Sequence, residues 1–245
     1  IKGTITNATV KVYKYVDGQT IALTTSEIKE SSIVSDENGN YNFTLVDYTG
    51  PVKIELLPNS DSVNPTTMVC DAPSGCGEIA FGASIDLTAS DPDFRLSAVS
   101  IVDAYSSGQV NVNVSALTHI TAELIEADTD GVNSASILQQ SSIIANTFGI
   151  IGNITELEPT SVDNATSVAE EDNTQELRYG LINSGIMSAL FSDEDQSTAV
   201  LSTKLAEATS DIVEHNGALL VSQDQDAAFE LALTGVLKGA KQAAV

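Results

Sequence analysis

Tryptophan is absent from this sequence, and aromatic residues fill only 5% of its 245 positions. The hydrophobic fraction is nonetheless 42%, enough to fill a core and too much for a disordered chain. That core must be built from Val, Ile, Leu and Ala. The missing Trp also removes the usual platform for stacking a sugar ring. Basic residues are scarce: ten Lys and Arg stand against 34 Asp and Glu, a formal charge of −24. The excess is −8 over residues 1–110 and −16 over residues 111–245. Nucleic-acid phosphates and anionic membrane surfaces would meet long-range repulsion, so neither is expected as a partner. Acidity of this size favours solubility in salty surroundings and leaves room for a role in binding cations.

Long apolar runs are missing as well. None approaches the roughly 18 residues that a membrane span needs, and no charged-then-apolar leader opens the chain. Ile1 already reads as strand, so the sequence reads as mature or trimmed, with a lipid anchor upstream left open. No G-x-S-x-G, Walker A or dinucleotide fingerprint occurs. Histidine is limited to His119, near a helix start, and His215, at a helix end where a cation is favourable. Both read as structural or surface groups. With 34 acidic residues some carboxylate pair must fall at a glycosidase-like spacing by chance, so such a pair carries weight only inside a cleft. No catalytic residue and no resident cofactor is expected.

Cysteine occurs twice, at Cys70 and Cys76 in Cys-Asp-Ala-Pro-Ser-Gly-Cys. Pro73 and Gly75 favour a tight turn between them, which predicts a short-loop disulfide and an oxidising compartment. Half a zinc site is the alternative, and it needs two more ligands. Calcium is the one ion with candidate ligands. Asp128-Thr129-Asp130-Gly131-Val132-Asn133 resembles half of an EF-hand-type loop, with Gln139 where an acidic twelfth residue is expected. Asp128, Asp130 and Asn133 are therefore calcium candidates, weighed against a plain helix–helix turn; Asp91 and Asp93 are a second pair. Asn7, Asn42, Asn113, Asn153 and Asn164 open Asn-x-Ser/Thr sequons, acceptors wherever the host glycosylates.

The first half alternates with a period of two. Residues 3–16 place Val10, Val12 and Val16 on one face and Lys11, Tyr13 and Tyr15 on the other. Asp17-Gly18 supplies a hairpin turn, and Ile21 to Thr25 can return antiparallel. Ile33 and Val34, then Tyr41, Phe43 and Leu45, then Val52, Ile54 and Leu56 read as further strands, followed by a long irregular insertion over 58–93. Phe94, Leu96 and Ala98, with Val110, Val112 and Val114, read as late strands that complete the sheet or pair at its edge. Near residue 112 the period becomes helical. Leu117, Ile120 and Leu124 share a stripe, and Ser134 can cap a helix that Gly149 ends. Ser167 to Glu170 reads as a capping box before an apolar helix over 177–191, where Gly180, Ser184 and Ser188 allow close packing. Leu201, Leu205, Ala208 and Ile212 stripe the next helix with Lys204 off the stripe. Ser222 and Gln225 cap a last helix bearing Phe229, Leu233, Val236, Leu237 and Ala240.

The expected fold class is α+β. An antiparallel β-sandwich (Ig-like or transthyretin-like) over 1–111, with a disulfide-stapled loop at 58–93, precedes a helical bundle over 112–245. On this division reactive groups have nowhere to converge.

Gly3-Thr-Ile-Thr-Asn-Ala-Thr-Val, Asp36-Glu-Asn-Gly-Asn-Tyr and Gly50-Pro51-Val52 resemble the carboxypeptidase-regulatory-like or Cna-B-like β-sandwich of bacterial surface proteins, over residues 1–57. The run through Val110-Asn-Val-Asn-Val-Ser-Ala-Leu-Thr is similar to secreted or lipid-anchored proteins whose sandwich is followed by a helical region. The resemblance implies an extracellular, cell-surface location and a binding, adhesive or structural role, with no catalytic residues to carry over. Some Cna-B modules cross-link Lys to Asn. Lys11 and Lys14 lie in the matching strand, and Tyr41 to Thr44 lacks the assisting Glu. The leading expectation is a non-enzymatic structural or adhesive protein whose partners are cell-surface components or other copies of itself, joined into a fibre by strand addition at residues 1–6. A ligand-binding surface lipoprotein and a carboxylate hydrolase are the alternatives.

Overall fold

The computed structural model of the chain describes residues 4–102, 109–110, 112–163, 168, 174–191, 201–219 and 233–244. It is a mixed α+β structure of antiparallel strands and six described helices. The strands are β1 (Ile5–Thr6), β2 (Thr9–Val16), β3 (Gln19–Ala22), β4 (Phe43–Thr44), β5 (Gly50–Leu57), β6 (Thr67–Val69), β7 (Ser84–Asp86), β8 (Leu96–Val102) and β9 (Gln109–Val110). The helices are α1 (Leu87–Ser90), α2 (Ala116–Glu126), α3 (Ser134–Thr147), α4 (Thr174–Leu190), α5 (Leu201–Glu214) and α6 (Leu233–Ala243). None of the described helices is long and apolar enough to cross a membrane.

The principal sheet runs β3-β2-β5-β8. Its hairpin closes at Asp17 and Gly18, both with positive φ (51° and 75°), the backbone that a two-residue turn of matching twist requires. Because side chains alternate across a strand, one register serves two faces. Val10, Val12, Val52, Ile54, Leu56, Leu96, Ala98 and Val102 enter the main core from the inner face. There they join Phe43, Met68, Ile85 and Phe94 from outside this sheet. The outer face carries Tyr13, Tyr15, Lys53, Glu55, Ser97, Val99 and Ile101, and α2 packs against it. Val16 stands beyond the core and is exposed.

Residues 58–93 are not an irregular insertion. They contain β6, β7 and α1, and β6 pairs with both β1 and β7. Each strand is three residues long and buries one large side chain, Met68 or Ile85. A period of two cannot show in so short a run. The disulfide joins Cys70 to Cys76 with Cα atoms 5.8 Å apart, both residues buried. The terminal strand β1 is taken up in its own sheet, Ile5 opposite Met68 and Thr6 opposite Thr67. The strand read at Ile33–Val34 reduces to a single bridge from Val34 to Thr9.

Ser115 caps α2 with a reciprocal bond pair to Thr118, and its hydroxyl meets Tyr179 of α4 at 2.7 Å. Asn133, rather than Ser134, caps α3. Gly149 follows that helix with φ 64°. Leu201, Leu205, Ala208 and Ile212 are all buried, as their stripe requires, but Lys204 is buried beside them and Leu237 of α6 is exposed. α4 and α6 cross closely. A Cβ on Gly185 would lie 2.2 Å from the carbonyl oxygen of Val236, and one on Gly239 2.5 Å from Ser188 Cβ. The apolar core runs without interruption from the inner face of the sheet to residues of α2, α4, α5 and α6. Ser167 and Glu170 of the first proposed capping box, the whole of the second at Ser222–Gln225, and Phe229 lie outside the described residues.

Candidate functional site: a charged cleft on the outer face of the sheet

Lys53 of β5 and His119, Glu123 and Glu126 of α2 meet because two regular elements face each other. On α2 these positions are i, i+4 and i+7, one side of a helix. On β5, Lys53 and Glu55 are the outward residues of an alternating strand. Lys53 Nζ lies 2.8 Å from Glu126 Oε2, 3.4 Å from Glu55 Oε1 and 3.9 Å from Glu123 Oε1. Tyr15 Oη donates to the other oxygen of Glu126 at 2.7 Å. Burial pulls the Lys53 ammonium down, but the Glu126 hydrogen bond and the three carboxylates outweigh it, so its pKa is raised. Burial raises Glu123 against the pull of Lys53, with the Glu126 and Glu55 charges adding to the rise. Burial also raises Tyr15, and Glu126 adds to that shift. Tyr13 rises to about 12 by burial and the charge of Glu55.

His119 is buried among these groups, and its Nδ1 shares a 2.9 Å hydrogen bond with Ser97 Oγ. Burial, helped by the positive charges of Lys53 and Arg95, lowers its pKa to about 3, so the ring is neutral at pH 7. Ser97 is 1% exposed beneath α2. A substrate carbonyl cannot reach its hydroxyl, so the pair lacks the access that nucleophilic catalysis needs.

The network opens into a cleft of about 770 Å³, within the range of small-molecule sites. α2 supplies one side through His119, Glu123 and Glu126, and α5 faces it with Ser202, Glu207 and Ser210. Asp93 and Arg95 close the end nearest β8. The buried carboxylate of Asp91 fixes this geometry by accepting from Ser202 N and Ser202 Oγ, each at 2.7 Å. Burial raises the Asp91 pKa against those two bonds. Arg95 is exposed and makes no hydrogen bond or ion pair among the described residues. Asp93, Glu123, Glu126 and Glu207 outnumber Arg95 along the lining, so the cleft is net negative even with Lys53 behind it.

The expectation that polar groups have nowhere to converge is thus overturned. Two helices and the segment leading into β8 share a polar cleft, and His119 lines it. His215 does not take part; it is exposed at the end of α5, with Nδ1 2.8 Å from the Asp211 carbonyl oxygen.

The calcium candidates lie elsewhere. Asp128 Oδ1 accepts from Asp130 N and Oδ2 from Gln140 Nε2. Asn133 Oδ1 accepts from Ala135 N and Ser136 N as the α3 cap, and its amide donates to Asp130 O and Gly131 O. The oxygens close a helix–helix turn, and no cluster of three acidic, His or Cys side chains suited to a metal occurs among the described residues. Of the sequons, Asn42 and Asn153 are exposed. Asn7, with φ 56°, donates to Pro65 O, and Asn113 donates to Leu157 O at 2.6 Å. Asn164 lies outside the described residues. Lys14 pairs with Glu27.

Comparison with known proteins adds no relative: no family model, curated protein or solved structure matches the chain.

Proposed function

We propose that this is a non-enzymatic extracellular surface protein of the binding or adhesive kind, whose cleft between α2 and α5 holds a small organic cation. In this reading the strands form a carboxypeptidase-regulatory-like or Cna-B-like sandwich and the helices a bundle carried on it. The disulfide supports an oxidising location. The observation that carries the binding role is the 770 Å³ cleft with four lining carboxylates against one lining cation. Those carboxylates are spread along two helices and a loop instead of converging at coordination distance. That spacing suits an extended amine better than a metal ion, because an ammonium chain can meet carboxylates one at a time. Hydroxyls of Ser202, Thr203 and Ser210 add neutral acceptors. Ser97, the partner of His119, is buried beneath α2 and does not line the cleft, which favours holding a ligand over transforming it. The β1 strand is already paired with β6, which does not favour fibre growth by its donation.

Thermal unfolding at moderate salt with spermidine, with citrate and with a neutral sugar tests this. Spermidine should raise the midpoint and the other two should not. Glu123→Gln/Glu207→Gln should abolish the rise, while Glu37→Gln/Glu78→Gln, the same charge change at exposed distant sites, should keep it. An equal response of both double variants, or no response of the parent, contradicts the reading.

A further inference from the structure

A cleft built only for a polyamine has no use for a cation on its own wall, yet Arg95 is there. The chain has two arginines. Arg178 donates to the Gly149 carbonyl oxygen, while Arg95 is exposed and without a hydrogen bond or ion pair among the described residues. Lys53, by contrast, lies behind the cleft with three carboxylates around it. Arg95 stands one residue before β8, between the buried Phe94 and Leu96, so its side chain leaves the core on the outward side. Its charge is felt in the cleft: after burial and Lys53, it is the next cause that lowers the His119 pKa.

Asp93 lines the same end, two residues earlier, and is likewise exposed without a hydrogen bond or ion pair among the described residues. The two opposite charges flank Phe94, which is 1% exposed and anchors the segment in the core, and they do not bond to each other. Both are therefore open to a ligand that carries an anion and a cation side by side. The cleft offers further groups of both kinds. Ser202 N and Oγ hold the Asp91 carboxylate at this end, so the first turn of α5 already favours a carboxylate neighbour. His119 Nδ1 is taken by Ser97, but Nε2 has no partner among the described residues, and this buried, neutral ring borders the cleft. From His119, Glu123 and Glu126 follow along α2 at about 6 and 10 Å, at 1.5 Å per residue.

We propose that the ligand of the cleft is a free basic α-amino acid of the lysine or ornithine type. Arg95 takes its carboxylate through the planar guanidinium fork, and Asp93 takes its α-ammonium. The side-chain ammonium extends along α2 to Glu123, with Glu207 facing it from α5. This rests on the cation-binding reading of the cleft and narrows it: Arg95, which opposes a plain polyamine, becomes the residue that sets specificity. A basic residue at a peptide terminus lacks either the free α-ammonium or the free carboxylate and satisfies only one of the two end groups.

Isothermal titration calorimetry of the whole chain at pH 7 and moderate salt tests this with three probes. Cadaverine is lysine without its carboxylate, and 6-aminohexanoate is lysine without its α-ammonium. Lysine should bind on the order of tenfold more tightly than either, the scale of one lost charge-assisted contact, although cadaverine carries the greater positive charge. Arg95→Gln should remove the margin of lysine over cadaverine and keep that over 6-aminohexanoate. Asp93→Asn should do the reverse. Both side chains are exposed and without partners among the described residues, so circular dichroism should show unchanged folding. Cadaverine or 6-aminohexanoate binding as tightly as lysine overturns the proposal, and so does a margin over cadaverine that Arg95→Gln leaves intact. If spermidine still stabilises the parent chain in either case, the cation reading stands and only its narrowing falls. Failure of lysine, cadaverine and spermidine alike removes both.

Discussion

Lys53 and Ile54 are neighbours in β5, and they stand on opposite faces of one sheet. Ile54 enters a continuous apolar core at 0% exposure. Lys53 enters a layer of carboxylates, phenols and one imidazole roofed by α2. The two faces share every backbone hydrogen bond, so their difference lies entirely in side chains. The inner face is held by area removed from water, which is indifferent to pH. The outer face is held by pairing, and its worth changes whenever a member titrates or is deleted. The comparison teaches where function can sit. The apolar face has nothing to offer a ligand, while the polar face reaches solvent through a cleft.

The largest expected effect belongs to the inner face. Ile54→Ala should lose about 3–4 kcal/mol in denaturant unfolding at any pH between 5 and 8, the range for a large core deletion. Lys53→Met should lose about 2–3 kcal/mol at pH 7, because Glu55, Glu123 and Glu126 are left without their cation. That penalty should shrink on acidification, as Glu123, raised by burial, takes up a proton. Equal, pH-independent losses at positions 53 and 54 would erase the contrast between the faces.

His119 sharpens it. Its pKa falls from 6.5 in the unfolded chain to about 3 in the folded one, so between those values the unfolded state binds more protons. Stability therefore rises with pH across this window and is lost as pH falls through it. From pH 6.5 to pH 5 the loss should be about 2 kcal/mol, measured as the change in unfolding free energy. His119→Gln should flatten that slope. Removing the disulfide by Cys70→Ser/Cys76→Ser should lower stability by about 2 kcal/mol on the chain-entropy account of so small a ring, without altering the pH slope. The smallest effect is Tyr15→Phe, about 1 kcal/mol for one hydrogen bond to Glu126.

Part of this architecture is legible in the residues alone. The alternation of Thr9–Val16 with its Asp17-Gly18 turn, the stripe of Leu201, Leu205, Ala208 and Ile212, and the Cys70–Cys76 staple each depend on chemistry within a few positions. β6 and β7 are hidden because three residues hold less than two periods. Lys204 and Leu237 exchange their expected places because a helix with neighbours on several sides does not follow a single stripe. The cleft is the most instructive omission. His119, Glu123 and Glu126 form a polar stripe on α2, and Lys53 and Glu55 form the polar face of β5. Each stripe by itself reads as a solvated surface. Only a match between the two, both polar and of opposite charge in part, signals that they face each other, and a reading split at residue 112 separates them.

The placement of function on the outer face is tested most directly by hydrogen–deuterium exchange of the whole chain with and without spermidine at pH 7. Protection should concentrate in α2 and the first turns of α5, with the inner-face strand β2 unchanged. Protection spread evenly over the acidic surface, or confined to segments away from α2 and α5, would contradict it.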